Sequence, residues 1–311
     1  MKTTLPALLL FSVFLIPVPA QKSGSPFAGR WDMTVTPQGG APFPDWLEVV
    51  DRAGSFDVRV QPRSGTVHPV KDAKVEGGKL VLVIAPSGKN PAVTWELEAK
   101  GNSLSGVQKS GDAATAQLAG VRAPDLKRPV PKAWTTPEPL FNGRDLTGWE
   151  PFPAGATNHW VAQDGVLVNL EHGANLKTTR KFQDFILHIE YNCPEDGNSG
   201  IYLRGRDEIQ VAYEGPGVND KFHDMGAVYG FIAPTAELPR KPGQWESFDV
   251  TLIGRMLTVV RNGVKTIDNQ EIAGISGGAL DSNEAEPGPF YLQGDHTGGM
   301  KYRNITVSVP K

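Results

Sequence analysis

The chain has a single cysteine, Cys193, among 311 residues, so no intramolecular disulfide can form and stability must come from packing. A lone cysteine is most often buried and inert, and Cys193 is read as a packing residue rather than a nucleophile. Charge of one sign is equally scarce: the net charge is −3, with acidic and basic residues interspersed. There is neither the basic stripe of a nucleic-acid binder nor a basic cluster beside a membrane segment, so neither nucleic acid nor membrane is an expected partner. Helical periodicity is missing too, since beyond the N-terminus no stretch keeps an apolar repeat of helical period for about ten residues. Catalytic strings are few. No phosphate-binding glycine loop, H-E-x-x-H pair or complete calcium loop occurs. Gly274-Ile275-Ser276-Gly277-Gly278 spells a nucleophile elbow, but no buried strand precedes it and no helix follows, so it is read as a glycine-rich loop. Asn304-Ile305-Thr306 matches a glycosylation sequon inside an expected strand and is read as structure.

Long apolar runs are limited to one. Lys2 is followed by Leu8 to Ile16 and the small-residue close Val18-Pro19-Ala20, the pattern of a cleaved secretory signal over residues 1–20. The run is too short to cross ~30 Å of hydrocarbon. A soluble protein, secreted or periplasmic, is expected, without a lipid anchor because no Cys stands at the cleavage point.

What the chain has in quantity is turn residues, 35 Gly and 26 Pro, spaced between short β-rich runs. Trp31, Met33 and Val35 alternate with polar neighbours as a half-buried strand requires, and similar runs recur from Trp46 to Val121. Residues 26–123 therefore read as a small antiparallel β domain, a barrel or small sandwich. Residues 124–139 are dense in proline and read as a semi-stiff linker, in which Trp134 staples onto one of its neighbours. From residue 140 to 311 further runs follow, among them Asp184 to Tyr191, Gly200 to Leu203, Glu208 to Ala212, Ala227 to Ile232 and Ser247 to Ile253. Asn262-Gly263 marks a type I′ hairpin. The fold class expected is all-β, with two facing sheets of jelly-roll type in the C-terminal part.

A series of segments in this C-terminal part carries a further signal. They include Leu140-Phe141-Asn142-Gly143-Arg144-Asp145-Leu146-Thr147-Gly148-Trp149, Asn198-Ser199-Gly200-Ile201-Tyr202-Leu203-Arg204-Gly205 and Glu208-Ile209-Gln210-Val211. Gly226-Ala227-Val228-Tyr229-Gly230, Pro242-Gly243-Gln244-Trp245-Glu246 and Leu292-Gln293-Gly294-Asp295-His296 continue the series. In order and spacing these resemble the 3-keto-disaccharide hydrolase family, of the concanavalin A-like lectin and glucanase superfamily. Two departures stand out: Glu246 follows Trp245 where Asn is usual, and Thr-Gly-Gly-Met follows His296.

The resemblance implies a concanavalin A-like jelly-roll sandwich acting on glycosides oxidised at sugar C3. A C3 ketone acidifies the C2 proton, so a base can form an enolate that expels the C1 substituent, and water then adds back. That chemistry needs a base, a cation or donors for the enolate oxygen, and an acid for the leaving group. Period two places Glu208 with Gln210 on one strand face, opposite Ile209 and Val211, and His188 with Glu190 on another. Glu208, His296 and Glu190 are the catalytic candidates; Arg204, Gln210, Tyr229, Trp245, Asn198 and Gln293 are the substrate-binding candidates. Glu190, Glu208 and His296 together offer mixed ligands for a divalent cation. A carbohydrate substrate and an upstream sugar 3-dehydrogenase are the partners implied. The same sandwich serves lectins, so a non-catalytic carbohydrate-binding protein is the competing reading, and an exported scaffold or adhesin-like module a third.

Overall fold

A computed structural model describes residues 24–311 apart from 62–64, 88–89, 214 and 216–217; the secretory signal expected over residues 1–20 lies outside the described residues. Every regular element among them is a β-strand. The first nine are β1 (Gly29–Pro37), β2 (Phe43–Asp51), β3 (Phe56–Gln61), β4 (His68–Val70), β5 (Asp72–Glu76), β6 (Lys79–Ile84), β7 (Val93–Lys100), β8 (Ser103–Ser110) and β9 (Ala113–Arg122). They form one antiparallel sheet in the order β4-β3-β2-β1-β9-β8-β7-β6-β5, and its two ends approach each other so that the sheet curls toward a barrel. The alternation seen in the sequence is the reason for the curl. Trp31, Met33, Val35, Leu47, Val60, Leu82, Trp95 and Leu97 all point inward and are buried together, which removes their apolar surface from water.

The Pro-rich segment does not hang free. Thr135 N donates to Val309 O at 2.9 Å, Trp134 bridges Pro310, and Arg255 Nη2 donates to Pro124 O at 3.1 Å, so the segment lies against the C-terminal part of the chain. The remaining strands are β10 (Glu138–Pro139), β11 (Trp149–Phe152), β12 (Trp160–Gln163), β13 (Val166–Asn169), β14 (Asn175–Thr178), β15 (Phe185–Asn192), β16 (Asn198–Leu203) and β17 (Asp207–Ala212). They continue with β18 (Trp245–Ile253), β19 (Met256–Arg261), β20 (Val264–Glu271), β21 (Tyr291–Leu292) and β22 (Lys301–Ser308). An eight-stranded sheet runs β12-β13-β22-β15-β18-β19-β20, with β10 added on β22, and a five-stranded sheet runs β11-β14-β21-β16-β17. The two face each other over Leu176, Leu187, Ile189, Ile201, Ile209, Val211, Phe248, Leu292 and Tyr302, the jelly-roll arrangement expected.

Asn262 and Gly263 both take positive φ, 49° and 79°, and join β19 to β20 as a tight turn. Cys193 is buried and burial pushes its thiol up to about 12, so it is inert at neutral pH. Residues 227–232, expected as a strand, are instead a turn held by isolated bridges, Ile209 to Val228 and Val228 to Ile232. The run folds back on itself there because Gly226 and Gly230 both adopt positive φ.

Candidate active site

The core-facing side of the five-stranded sheet is apolar, so its other side carries the residues of opposite parity. On β16 these are Asn198, Gly200 and Tyr202; on β17 they are Glu208 and Gln210. Cross-strand register sets Gly200 beside Gln210, and Tyr202 beside both Glu208 and Tyr291. Phe152 of β11 sits beside Asn175 of β14 at the far edge. Together with Tyr229, Gly277, Gly278, Gln293, Asp295 and His296 from the flanking loops, this face lines a cavity of about 420 Å³, within the range of small-ligand sites.

Glu208 sits at its floor, 3 % exposed. Its carboxylate is clasped between two glycine backbones: a Cβ added at Gly200 or at Gly277 would collide with it. Burial pushes its pKa up to about 7, against the opposing hydrogen bond from Tyr202 and the attraction of His296. The Tyr202 hydroxyl, which accepts from Gly278 N at 2.9 Å and from Gln293 Nε2 at 3.4 Å, itself points at Glu208. Tyr202 and Tyr291 stack with centroids 4.2 Å apart and form an aromatic wall.

At the mouth the chemistry reverses. His296 Nδ1 and Asp295 Oδ1 are 2.9 Å apart, and this pair raises the imidazole above its ordinary pKa. Asp295 is held below the usual carboxylate range because the hydrogen bonds from His296 and from Asn175 Nδ2, the latter at 3.2 Å, outweigh the cost of its burial. Asn175 Oδ1 in turn accepts from Gly294 N and Asp295 N, which fixes the loop that carries the pair. One side of the cavity thus holds a carboxyl raised by burial, the other an imidazole whose protonated form Asp295 stabilises. Two buried acceptors, Gln210 Oε1 and Gln293 Oε1, have no partner among the described residues and belong to residues lining the same space. They suit the hydroxyl groups of a sugar.

Of the nine residues expected from sequence, the cavity brings together Glu208, Gln210, Tyr229, Asn198, Gln293 and His296. Three lie elsewhere. Glu190 is on β15 of the eight-stranded sheet, ion-paired with Arg303 at 2.6 Å and accepting from Asn304 Nδ2 at 2.6 Å. Period two sets Glu190 on one face with His188, but parity orders residues within a strand and says nothing about which sheet the strand joins. The trio Glu190, Glu208 and His296 is therefore not assembled as a ligand set, and among the described residues no group of three or more His, Cys, Asp or Glu side chains converges to hold a metal ion. Arg204 follows the end of β16 and takes φ of 53°, which turns its side chain out of the alternation; its guanidinium is buried beside Asp207, 3.4 Å away. Trp245 lies on β18 under the Arg303 guanidinium, 3.9 Å from the ring centroid, on the same sheet as Glu190.

Sequence reasoning passes over Tyr202, Tyr291, Asn175, Asp295 and Phe152. Tyr202 and Asp295 are within its reach, the first by the same period-two count that links Glu208 to Gln210, the second as the neighbour of His296. Ser276 of the elbow-like string is fully buried, and its hydroxyl accepts from Glu208 N at 3.1 Å, which makes it a strut and not a nucleophile. Asn304 of the sequon lies on β22 and donates from Nδ2 to Glu190 of β15.

Comparison with known proteins matches residues 136–308 to the family described as the 3-keto-alpha-glucoside-1,2-lyase-like domain. No curated protein sequence matches the chain. Among solved structures, one from Parabacteroides distasonis, described as a candidate glycosyl hydrolase, is 28 % identical, with a TM-score of 0.48, over 58 % of this chain and 92 % of its own. A second from that organism, described likewise, is 21 % identical with a TM-score of 0.47, covering 56 % of this chain and 92 % of its own. A carbohydrate-binding module of Bacillus subtilis is 11 % identical with a TM-score of 0.32, over 53 % of this chain and 97 % of its own.

Proposed function

The chain belongs to the 3-keto-alpha-glucoside-1,2-lyase-like domain family, and from that premise we propose that it is an exported enzyme that cleaves glycosides oxidised at sugar C3, with Glu208 as the base at C2. The observation that carries this reading is the buried Glu208 carboxyl, held near pKa 7 at the floor of a polar cavity whose mouth bears a raised imidazole. A general base works best when its pKa lies near the working pH, because it is then both deprotonated and strong enough to accept a proton.

The reaction divides between the two ends of the cavity. Glu208 takes the C2 proton, and the C–H electron pair becomes the C2=C3 enolate. When the enolate collapses, the C3 ketone re-forms, a C1=C2 double bond forms, and the C1–O bond breaks. The departing oxygen takes a proton from His296, whose positive charge Asp295 stabilises. Water then gives a proton to His296 as its oxygen bonds to C1, and Glu208 returns its proton to C2, which completes net hydrolysis and restores both groups. Gln210 and Gln293 accept hydroxyl hydrogens of the ring, and Tyr202 and Tyr291 offer it an aromatic face. A ketone at C3 must come from an oxidoreductase that acts on the unoxidised glycoside, so a sugar 3-dehydrogenase upstream is part of the same proposal. Export rests on the sequence of residues 1–20.

The test is incubation of the purified protein with a 3-keto-glycoside and with its unoxidised parent, following release of the leaving group. Cleavage of the keto form alone is expected. Binding of both with cleavage of neither would instead favour the lectin-like reading.

A further inference from the structure

The base is enclosed by a loop that the catalytic sheet does not hold by itself. Residues 274–278 run between the two parts of the chain. On one side Ser276 is fastened to the catalytic sheet: its amide donates to Arg206 O at 2.9 Å and its hydroxyl accepts from Glu208 N at 3.1 Å. On the other side Gly277 is fastened to the N-terminal sheet. Gln61, the last residue of β3, donates from Nε2 to Gly277 O at 3.0 Å, and Gly277 N donates to Gly65 O at 3.0 Å. Gln61, Gly65 and Gly277 are all buried. The indole of Trp46 on β2 covers Gly274 so closely that no Cβ fits there, and it packs with Ala273 and Ile275.

The neighbouring wall is held the same way. Val67 N donates to Gly230 O at 3.1 Å, and Thr66 Oγ1 lies 3.0 Å from His223 Nε2, whose ring meets Tyr229 edge-on at 4.7 Å. Two of the cavity-lining segments, one at Gly277 and one at Tyr229, are therefore anchored on Gln61, Gly65, Thr66 and Val67, far outside residues 136–308 that carry the family match.

We propose that Gln61 is a positioning residue for the base: by holding the Gly277 carbonyl it presses the loop backbone against Glu208 and keeps water from the carboxylate. The proposal rests on the reading of Glu208 as base. Desolvation is the largest cause of the raised Glu208 pKa, so a loosened loop lets water in and returns that pKa toward the ordinary carboxylate range. A weaker base results from the lower pKa, while the sugar contacts of Gln210, Gln293 and Tyr291 are unaffected.

The experiment is Gln61→Leu, which keeps bulk and removes the donor, read by the pH profile of kcat and KM on a 3-keto-glycoside and by a carbon-13 NMR titration of the Glu208 carboxyl. The acid limb and the NMR titration should both move down by about one pH unit, with kcat lowered ~10-fold at its plateau and KM within ~2-fold. A folded variant whose Glu208 titrates as in the parent would overturn the proposal. If the parent protein turns over no keto-glycoside, the functional reading fails, yet the NMR titration still decides whether Gln61 sets the Glu208 pKa. Should Gln61→Leu not fold, amide exchange in the parent protein decides. Gly277 N–H protected as strongly as the amides of β2 and β3 supports a loop clamped by the N-terminal sheet, and exchange at the rate of a surface loop sinks it.

Discussion

In the proposed reaction a single carboxyl carries most of the chemistry, and its environment shows how a residue of ordinary acidity is retuned. Among the described residues no cation is in hydrogen-bond contact with Glu208; two glycine backbones and an aromatic pair surround it, so burial wins over the Tyr202 hydrogen bond. Below about pH 7 it carries a proton and cannot act as a base. The kcat/KM of the parent protein should therefore climb tenfold per pH unit on the acid side and level off above about 7. It should fall again at a higher pH, where the raised His296 loses the proton that the leaving group needs. Glu208→Gln should lower kcat by about 10²–10⁴-fold, a range typical of a lost general base, while a non-hydrolysed sugar analogue still binds in calorimetry. A variant with full turnover would remove Glu208 from the mechanism.

At the scale of strands and turns, one departure from the family pattern has a structural cause. Glu246, where Asn is usual, lies on β18 with its carboxylate buried and met by Arg261 from Nε at 3.1 Å and Nη2 at 2.8 Å, by Asn262 Nδ2 at 2.6 Å and by the Tyr213 hydroxyl. Such a pair is held together because either partner alone would be a buried, uncompensated charge. Glu246→Gln should cost about 3–5 kcal/mol in urea unfolding, with the active-site cavity untouched because the pair belongs to the other sheet. A loss under ~1 kcal/mol would mean that water reaches Arg261. Alternation makes β1, β15, β17 and β18 legible from sequence, since each has one apolar face on a core. β11, β12 and β14 escape notice: each is four residues long, too short for a period to repeat. The site is legible to the extent that its residues lie on regular strands or in the segments shared with the family. Arg204, a candidate through the family-like segment that ends β16, lies outside the cavity because its positive φ turns it out of the alternation of that strand, and Glu190 does so because sheet membership is a matter of topology, which a strand's own sequence does not contain.

For the molecule as a whole, the junction between the N-terminal sheet and the rest is where pH and stability meet. Asp32 of β1 is buried against Glu284, which Arg255 holds by two hydrogen bonds of 2.6 and 2.8 Å, while Arg30 reaches Glu271 nearby. Burial first, and then the like charge of Glu284, push Asp32 up to about 9. Burial also raises Asp207 to about 6 and Glu208 to about 7. A carboxyl whose pKa is higher folded than unfolded keeps a proton that the unfolded chain has already released, so each such group destabilises the fold increasingly as pH rises from its unfolded value to its folded one. His296, raised by Asp295, adds the same sign, since the stability it contributes is lost as pH climbs through its folded pKa. Glu190 and Glu271 act oppositely, because their lowered pKa values contribute stability that disappears only in acid. Tm should therefore peak near about pH 5 and fall steadily toward about pH 9. Asn mimics the protonated form of Asp32, so Asp32→Asn should flatten the decline throughout, from the unfolded carboxylate range up to about pH 9, as read by calorimetry across the range. If the variant declines as steeply as the parent above about pH 7, where Asp207 and Glu208 no longer add to the slope, Asp32 does not carry the alkaline sensitivity.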